Sequence, residues 1–521
     1  MHMVNRELAK LQRVPRDVAR WQQAQQQLLG GRHSVALASY RDLVRRFPGV
    51  DQLWFELGVA ASAQLEFELA SQAFDRTAEL ASKDVSTLVL LGQQYHRLRR
   101  LDKACACFER AVAADPGSLH ARLSMAVWLE RDRKLDAAWE CVEACLAAHP
   151  RNPQALCIRA LLLHRRGQNA EAETLLRELI RTGSQDANVN YSSRQLLGVV
   201  LDALGQYAEA LRWLLEAKAL LRQTANIAAM EQDYDRADHR RRELLAALTP
   251  EAVRRWRQED RIEPRPYGLG LLGGHPRSGT TLLEQILGAH PDLLAFDESE
   301  AFVQEVWDQI APMNAPQPLT LNGLNALSPA RRAELKRRYY KSLLRDVEGE
   351  PRAKMLLDKN PSPTASLHLW LRLFPESKII IALRDPRDVV ISCFFQNLML
   401  TPTNANFLSL ERAARHYADL MDVWLRLKEL GGFDWLETRY EDLVCGLETE
   451  GPRATAFLGL AWAPGQANHQ EAARRKFLFA PTYNDVTKAV HSRSVGRWQH
   501  YAEALAPIQD RLAPYCKAFG Y

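Results

Sequence analysis

Four side chains suited to anion or proton chemistry stand at the carboxyl ends of four separate apolar runs. They are Arg277 after "YGLGLLGGHP", Glu298 after "LLAFD", Lys359 closing "KMLLD" and Arg384 after "KIIIAL". In open α/β sheets that edge is where ligands bind, so four distant segments are predicted to meet at one crevice. There an arginine and a lysine would stabilise developing negative charge, and a carboxylate would accept a proton. Asp297 stands beside Glu298, and either could be the base. Lys359 also fits a plain surface charge ahead of "NPSP".

The stretch "GLGLLGGHPRSGTTLLEQIL", residues 268–287, predicts a buried strand, a tight turn and an amphipathic helix. Gly273, Gly274 and Gly279 let the backbone turn and approach a ligand. The N–H groups opening the following helix attract an anion, aided by the helix dipole. Arg277 adds a planar fork of charge, and Ser278, Thr280 and Thr281 add hydroxyls. The lysine of nucleoside-triphosphatase loops is missing, because Thr280 occupies its place. Such a loop suits a single terminal anion better than a triphosphate with its metal. His275 reads as positional. A second anion position is read in "LRDPRDVVISCFF", where Arg384 ends a strand and Ser392 follows on the next helix. Taken alone, Arg-Asp at a strand end is equally a structural ion pair.

Strand-like runs and helical stretches alternate after residue 266, predicting a mostly parallel sheet covered on both faces. The first half differs. Small residues recur every 34 positions at Ala24, Gly58, Gly92, Ala126 and Ala160, and again at Ala36, Ala70, Ala104, Ala138 and Ala172. Pro48, Pro116 and Pro150 mark unit ends, aromatics recur at Tyr40, Phe74 and Phe108, and a last unit follows four residues late at Gly198 and Ala210. That period resembles the tetratricopeptide repeat, a helix pair whose small residues allow close backbone approach. Stacked pairs form a solenoid with a concave surface. It could serve as a spacer or dimerisation arm, or as a peptide groove. The expected division is an N-terminal segment 1–16, a repeat domain 17–222, a charged helical connector 223–265 and an α/β domain 266–521.

Composition narrows the classes. A hydrophobic fraction of 47%, a charged fraction of 25% and a net charge of +5 are ordinary for a globular protein and do not mark a nucleic-acid binder. No run of about 18 apolar residues predicts a membrane span, and the start lacks a signal-peptide core, so a cytoplasmic location is expected. Cys105, Cys107, Cys141 and Cys145 lie in helical segments without histidine partners, which predicts free thiols rather than a zinc site. No metal is expected.

"PRSGTTLLEQIL", "RDPRDVVIS" and "RYEDLV" together resemble the sulfotransferases that use 3′-phosphoadenosine 5′-phosphosulfate, over about residues 266–500. The likeness is greatest to tyrosylprotein sulfotransferases and to bacterial repeat-fused members of that group. The resemblance implies a P-loop-like α/β domain with a central parallel sheet, and a donor with two separate phosphate positions. Carried over motif by motif, it makes Arg277, Ser278, Gly279, Thr280 and Thr281 the 5′-phosphosulfate loop, and Arg384 and Ser392 the 3′-phosphate site. It makes Tyr440 a wall of the nucleotide site, Glu298 the base and Lys359 a neighbour of the transferring sulfonate. From "HSRSVGRW", Arg493, Ser494 and Arg497 would close over the donor. Tyr440 also fits core packing, and the last two arginines a solvated face.

The implied acceptor is a protein or peptide hydroxyl, tyrosine first, held by the repeat groove; a homodimer is allowed. One departure stands out: tyrosine-sulfating relatives carry an arginine two places after the base, where this chain has Glu300. The Pro- and Asn-rich stretch 311–329 reads as a substrate lid. Two rival readings remain, a P-loop kinase and a repeat scaffold with an inactive transferase domain.

Overall fold

The computed structural model describes residues 2–30, 32–64, 66–81, 83–224, 226–260, 267–311, 318–345, 347, 349, 351–397, 400–475 and 490–521. The chain divides into two compact units, Met1–Ser184 and Gln185–Tyr521. Part of the expected lid, 312–317, lies outside the described residues.

In the first unit, the helices run as successive antiparallel pairs, from Pro15–Leu29 with His33–Arg46 to Pro153–Arg165 with Asn169–Thr182. The small residues do what the 34-residue period predicts. A Cβ on Gly58 would sit 2.4 Å from the Phe74 ring, and one on Gly92 would sit 2.7 Å from Phe108. The same rings reach the next pair: Phe74 meets Tyr95 at 5.9 Å and Phe108 meets Trp128 at 5.8 Å. Each aromatic thus ties its own pair together and staples it to its neighbour. The period also governs the helix ends. Asp84, Ser118 and Asn152 cap successive first helices by accepting from the backbone N–H three residues on. Arg99, Arg133 and Gly167 take positive φ at the turn inside each pair.

The second unit contains one more such pair, Ala187–Ala203 with Tyr207–Thr224, capped by Asp186 and closed tightly at Gly198 against Leu214. Helices Ile227–Ala247 and Pro250–Asp260 follow, and then the α/β domain. Five strands form its sheet: β1 (Gly268–Gly274), β2 (Leu293–Asp297), β3 (Met355–Lys359), β4 (Lys378–Leu383) and β5 (Asp434–Arg439). All described pairings are parallel and the order is β2-β3-β1-β4-β5. These strands fall where the apolar runs predict them.

Alternation along the strands feeds two cores. Leu269, Leu271, Ile379, Ile381 and Leu383 pack on one face with Trp370, Phe374, Trp424 and Trp256. Leu272, Ile380 and Ala382 pack on the other with Leu283, Ile286 and Leu458. Sheets buried on both faces read as continuous apolar runs for this reason, and each such side chain contributes about 1.5–3 kcal/mol. Trp256 and Leu248 belong to the first of these cores, so the connector helices complete the α/β domain. All eight cysteines are free thiols. Among the described residues, no helix is long and apolar enough to cross a membrane.

One buried histidine sets a pH dependence. His368 is 1% exposed and, among the described residues, neither ring nitrogen has a hydrogen-bond partner. Burial, assisted by Arg241, pushes it down from an ordinary 6.5 to about 3. The native ring therefore stays neutral while the unfolded chain takes up a proton, so stability is lost as pH falls from 6.5 toward 3. His368→Leu is expected to widen its stability advantage over the parent by about 2 kcal/mol between pH 7.5 and pH 5. Chemical unfolding at the two pH values measures this, and an equal difference at both contradicts it.

Candidate functional site

β1 lies at the centre of the sheet, with β3 on one side and β4 on the other, so the loops after β1 and β4 open a crevice at the carboxyl edge. The register is tight: Gly274 is level with Ala382, and Lys359 is level with both Leu272 and Asp297. Arg277, Glu298, Lys359 and Arg384 stand at or just past the carboxyl ends of β1, β2, β3 and β4.

The turn after β1 needs its glycines. Gly274 has φ +123, and a Cβ there would lie 2.4 Å from the Ala382 carbonyl oxygen. Gly279 has φ +89 and packs against Tyr440, where a Cβ would meet the ring at 2.6 Å. The helix Thr280–Gly288 starts from this glycine, and its first-turn N–H groups have no intrahelical acceptors. Ser278, Thr280 and Thr281 are buried. Thr364 fixes the end of the strand: the Gly274 N–H donates to its hydroxyl at 2.9 Å.

Among the described residues, four non-glycine residues take positive φ, two at repeat turns and two in the site, Arg277 at +76 and Glu298 at +50. Non-glycine residues held there cost free energy and cluster at functional positions.

Arg277 Nε donates to Ser392 Oγ at 3.1 Å, joining the loop to the helix Pro386–Phe394. Arg384 is 6% exposed and donates to the Arg277 carbonyl at 3.2 Å and to the Ser494 carbonyl. Its guanidinium lies 5.0 Å from the centre of the Tyr440 ring. Asp388 is 3.6 Å from Arg384, and its carboxylate also accepts from the Gly496 and Trp498 N–H groups at 2.8 and 2.7 Å. Among the described residues the buried Arg384 Nε has no partner, and such a donor suits an anion. Arg277, Gly279, Arg384, Ser392, Tyr440 and Ser494 thus form one contact network. Arg493 is exposed. Arg497 is bound elsewhere, its Nη2 2.8 Å from Asp202 and its guanidinium 4.0 Å over Phe395.

The second cluster surrounds Lys359, whose side chain is fully buried. Its Nζ pairs with Asp297 and lies 3.3 Å from Glu298. Burial alone would lower its pKa, but Asp297, Glu298 and Glu284 together raise it, so the ammonium stays charged. Asp297 is the more enclosed carboxylate, 13% exposed against 34% for Glu298. The Glu298 N–H donates to the Lys359 carbonyl at 2.7 Å and Asn360 donates to the Ser299 carbonyl at 2.6 Å, which locks the ends of β2 and β3 together. Glu300 accepts from Gln304 at 2.6 Å. Its charge adds to burial in raising Asp308 to about 6, so this flank of the site is acidic.

His275 is positional, as expected, with a partner the sequence does not reveal. Its Nδ1 donates to the Pro276 carbonyl and its Nε2 accepts from His416 Nδ1, each at 2.8 Å. Burial pushes His275 down to about 4 and holds His416 well below the ordinary histidine value, so the neutral pair braces the loop. Glu284, Thr364, Asp388 and His416 are the site-supporting residues that sequence reading missed. Only Glu284 left a local trace: it follows Thr280 by one helical turn and stands, with Gln285, as a polar residue within an apolar helical run.

Residues 271–464 match the family described as "Sulfotransferase family", and residues 22–85, 85–118 and 123–187 match tetratricopeptide repeats. The chain thus joins a stretch that matches tetratricopeptide repeats to one that matches the sulfotransferase family. The chain is 23% identical over 269 residues to protein-tyrosine sulfotransferase 2 of Gallus gallus, covering 48% of its own length and 68% of the relative. It is 26% identical over 354 residues to an uncharacterised protein of Aquifex aeolicus, covering 65% of its own length and 43% of that protein. Among solved structures, the sulfotransferase domain from the Synechococcus PCC 7002 olefin synthase aligns with a TM-score of 0.35 at 21% identity, over 50% of this chain and 97% of that domain.

Proposed function

We propose that the chain transfers a sulfonate from 3′-phosphoadenosine 5′-phosphosulfate to an acceptor hydroxyl, with a protein or peptide tyrosine as first choice. The observation that carries this reading is the buried Arg384, whose Nε lacks a partner among the described residues while its other nitrogens tie the glycine loop to the Ser494 segment. Two anion positions side by side, one on the loop and one at Arg384 and Ser392, suit a donor with separate phosphates. Thr280 in place of a lysine argues against a triphosphate.

The donor supplies an electrophilic sulfur: the acceptor oxygen bonds to it, the bridging S–O bond breaks, and the bisphosphate leaves with that electron pair. Glu298, the more accessible of the two carboxylates beside Lys359, takes the acceptor proton. Lys359, held charged, and Arg277 stabilise charge gathering on the departing oxygen. Arg384, Ser392 and Tyr440 hold the nucleotide end, and the loop N–H groups with Ser278, Thr280 and Thr281 hold the other. Glu300 and Asp308 oppose an acidic acceptor, so tyrosines flanked by neutral or basic residues are the expected substrates.

Calorimetry with 3′-phosphoadenosine 5′-phosphate and with ATP–Mg²⁺ tests this, followed by transfer of radiolabelled sulfate to a tyrosine peptide library. Micromolar binding of the bisphosphate with label transfer is expected. Tight ATP–Mg²⁺ binding with no affinity for the bisphosphate overturns the reading in favour of a kinase. Bisphosphate binding without transfer to any acceptor favours an inactive scaffold.

A further inference from the structure

The last helix pair, Ala187–Ala203 and Tyr207–Thr224, is a repeat unit by its small residues, yet its polar side chains are spent on the donor side of the α/β domain. Gln195 Nε2 donates to the Phe395 carbonyl at 2.7 Å, Lys218 Nζ to the Gln396 carbonyl at 2.8 Å and Tyr191 to Asn397 at 3.1 Å. The first two acceptors are main-chain carbonyls just past the helix that carries Ser392, where backbone acceptors need partners, and the third is the Asn397 side-chain oxygen. Asp202 completes the set. Its carboxylate accepts from Arg497 Nη2 at 2.8 Å and Nε at 3.2 Å, and from the Tyr501 hydroxyl.

Arg497 and Tyr501 belong to a short strap, 494–501, which also packs on Tyr207 of the repeat pair through His500 and Tyr501 and touches the donor site. Ser494 accepts from Arg384, and Gly496 and Trp498 donate to Asp388. The strap is therefore pinned by two carboxylates, Asp388 on the Ser392 helix and Asp202 on the repeat pair. Asp388 orients the backbone at Gly496 and Trp498; Asp202 holds the Arg497 and Tyr501 side chains. Arg497 is sandwiched between Asp202 and the Phe395 ring, a geometry that fixes a guanidinium in place.

We propose that Asp202 is a positioning residue for donor binding: by holding Arg497 and Tyr501 it keeps the 494–501 strap against Arg384, which makes the last repeat pair part of the donor site. This rests on the sulfonate-transfer reading. An asparagine keeps the size but loses the charge and one acceptor, so Arg497 is released and the strap is no longer pre-organised when the nucleotide arrives.

Full-length parent, Asp202→Asn, Asp202→Glu and Tyr501→Phe are compared by calorimetry with 3′-phosphoadenosine 5′-phosphate and by steady-state kinetics. Asp202→Asn is expected to weaken bisphosphate binding and raise the donor KM by about tenfold, with kcat at saturating donor within about twofold. Asp202→Glu restores most of the affinity, and Tyr501→Phe falls between parent and Asp202→Asn. Unchanged affinity in Asp202→Asn, while the parent binds, overturns the inference alone. Equal loss of kcat, affinity and thermal stability, with no recovery in Asp202→Glu, makes Asp202 merely structural and also overturns it. A parent that does not bind the bisphosphate overturns the sulfonate reading and this inference together.

Discussion

Glu298→Gln is expected to leave bisphosphate binding intact and lower turnover by about two to four orders of magnitude, the range for removing a positioned general base. Glutamine keeps the shape and can still accept from Lys359 Nζ, which lies 3.3 Å from Oε1. It cannot take a proton. The strained backbone at φ +50 is shared by both residues, so the fold should not register the change. Asp297→Asn provides the contrast. Asp297 is the main partner of a buried ammonium, so its loss should lower thermal stability as well as rate. Calorimetry and single-turnover kinetics on both variants decide between them. Turnover within threefold of the parent in Glu298→Gln removes it as the base.

The other large effect is at Arg384. Arg384→Ala should weaken binding of 3′-phosphoadenosine 5′-phosphate by about 100-fold or more, since it removes a buried charge and its hydrogen bonds to an anion. Arg384→Lys should recover little, because a point charge cannot donate to both the Arg277 and Ser494 carbonyls and still reach a phosphate. Binding of adenosine 5′-phosphosulfate, which lacks the 3′-phosphate, should change far less. If both nucleotides weaken equally, Arg384 supports the loop generally and does not read the second phosphate.

The sequence by itself determined every feature that has a short period or a local signature. The 34-residue spacing of Gly58, Gly92 and their alanine equivalents sets the helix pairs, because a close backbone approach demands a small side chain at a fixed place. The apolar runs set β1 to β5, and Gly274 and Gly279 set the turn that no larger residue could make. Arg277, Lys359, Arg384 and Glu298 were legible because each follows such a run. Tertiary structure alone decided what these elements pack on. The period marks Gly198 and Ala210 as a repeat, but it carries no information that Asp202, Gln195 and Lys218 reach residues about 180 to 300 positions away. The same is true of His416 behind His275, Thr364 beneath Gly274 and Glu284 near Lys359. A hydrogen bond or ion pair between distant segments leaves no trace in either segment's own pattern, since each side chain there is an ordinary polar residue until the sheet and helices bring them into contact.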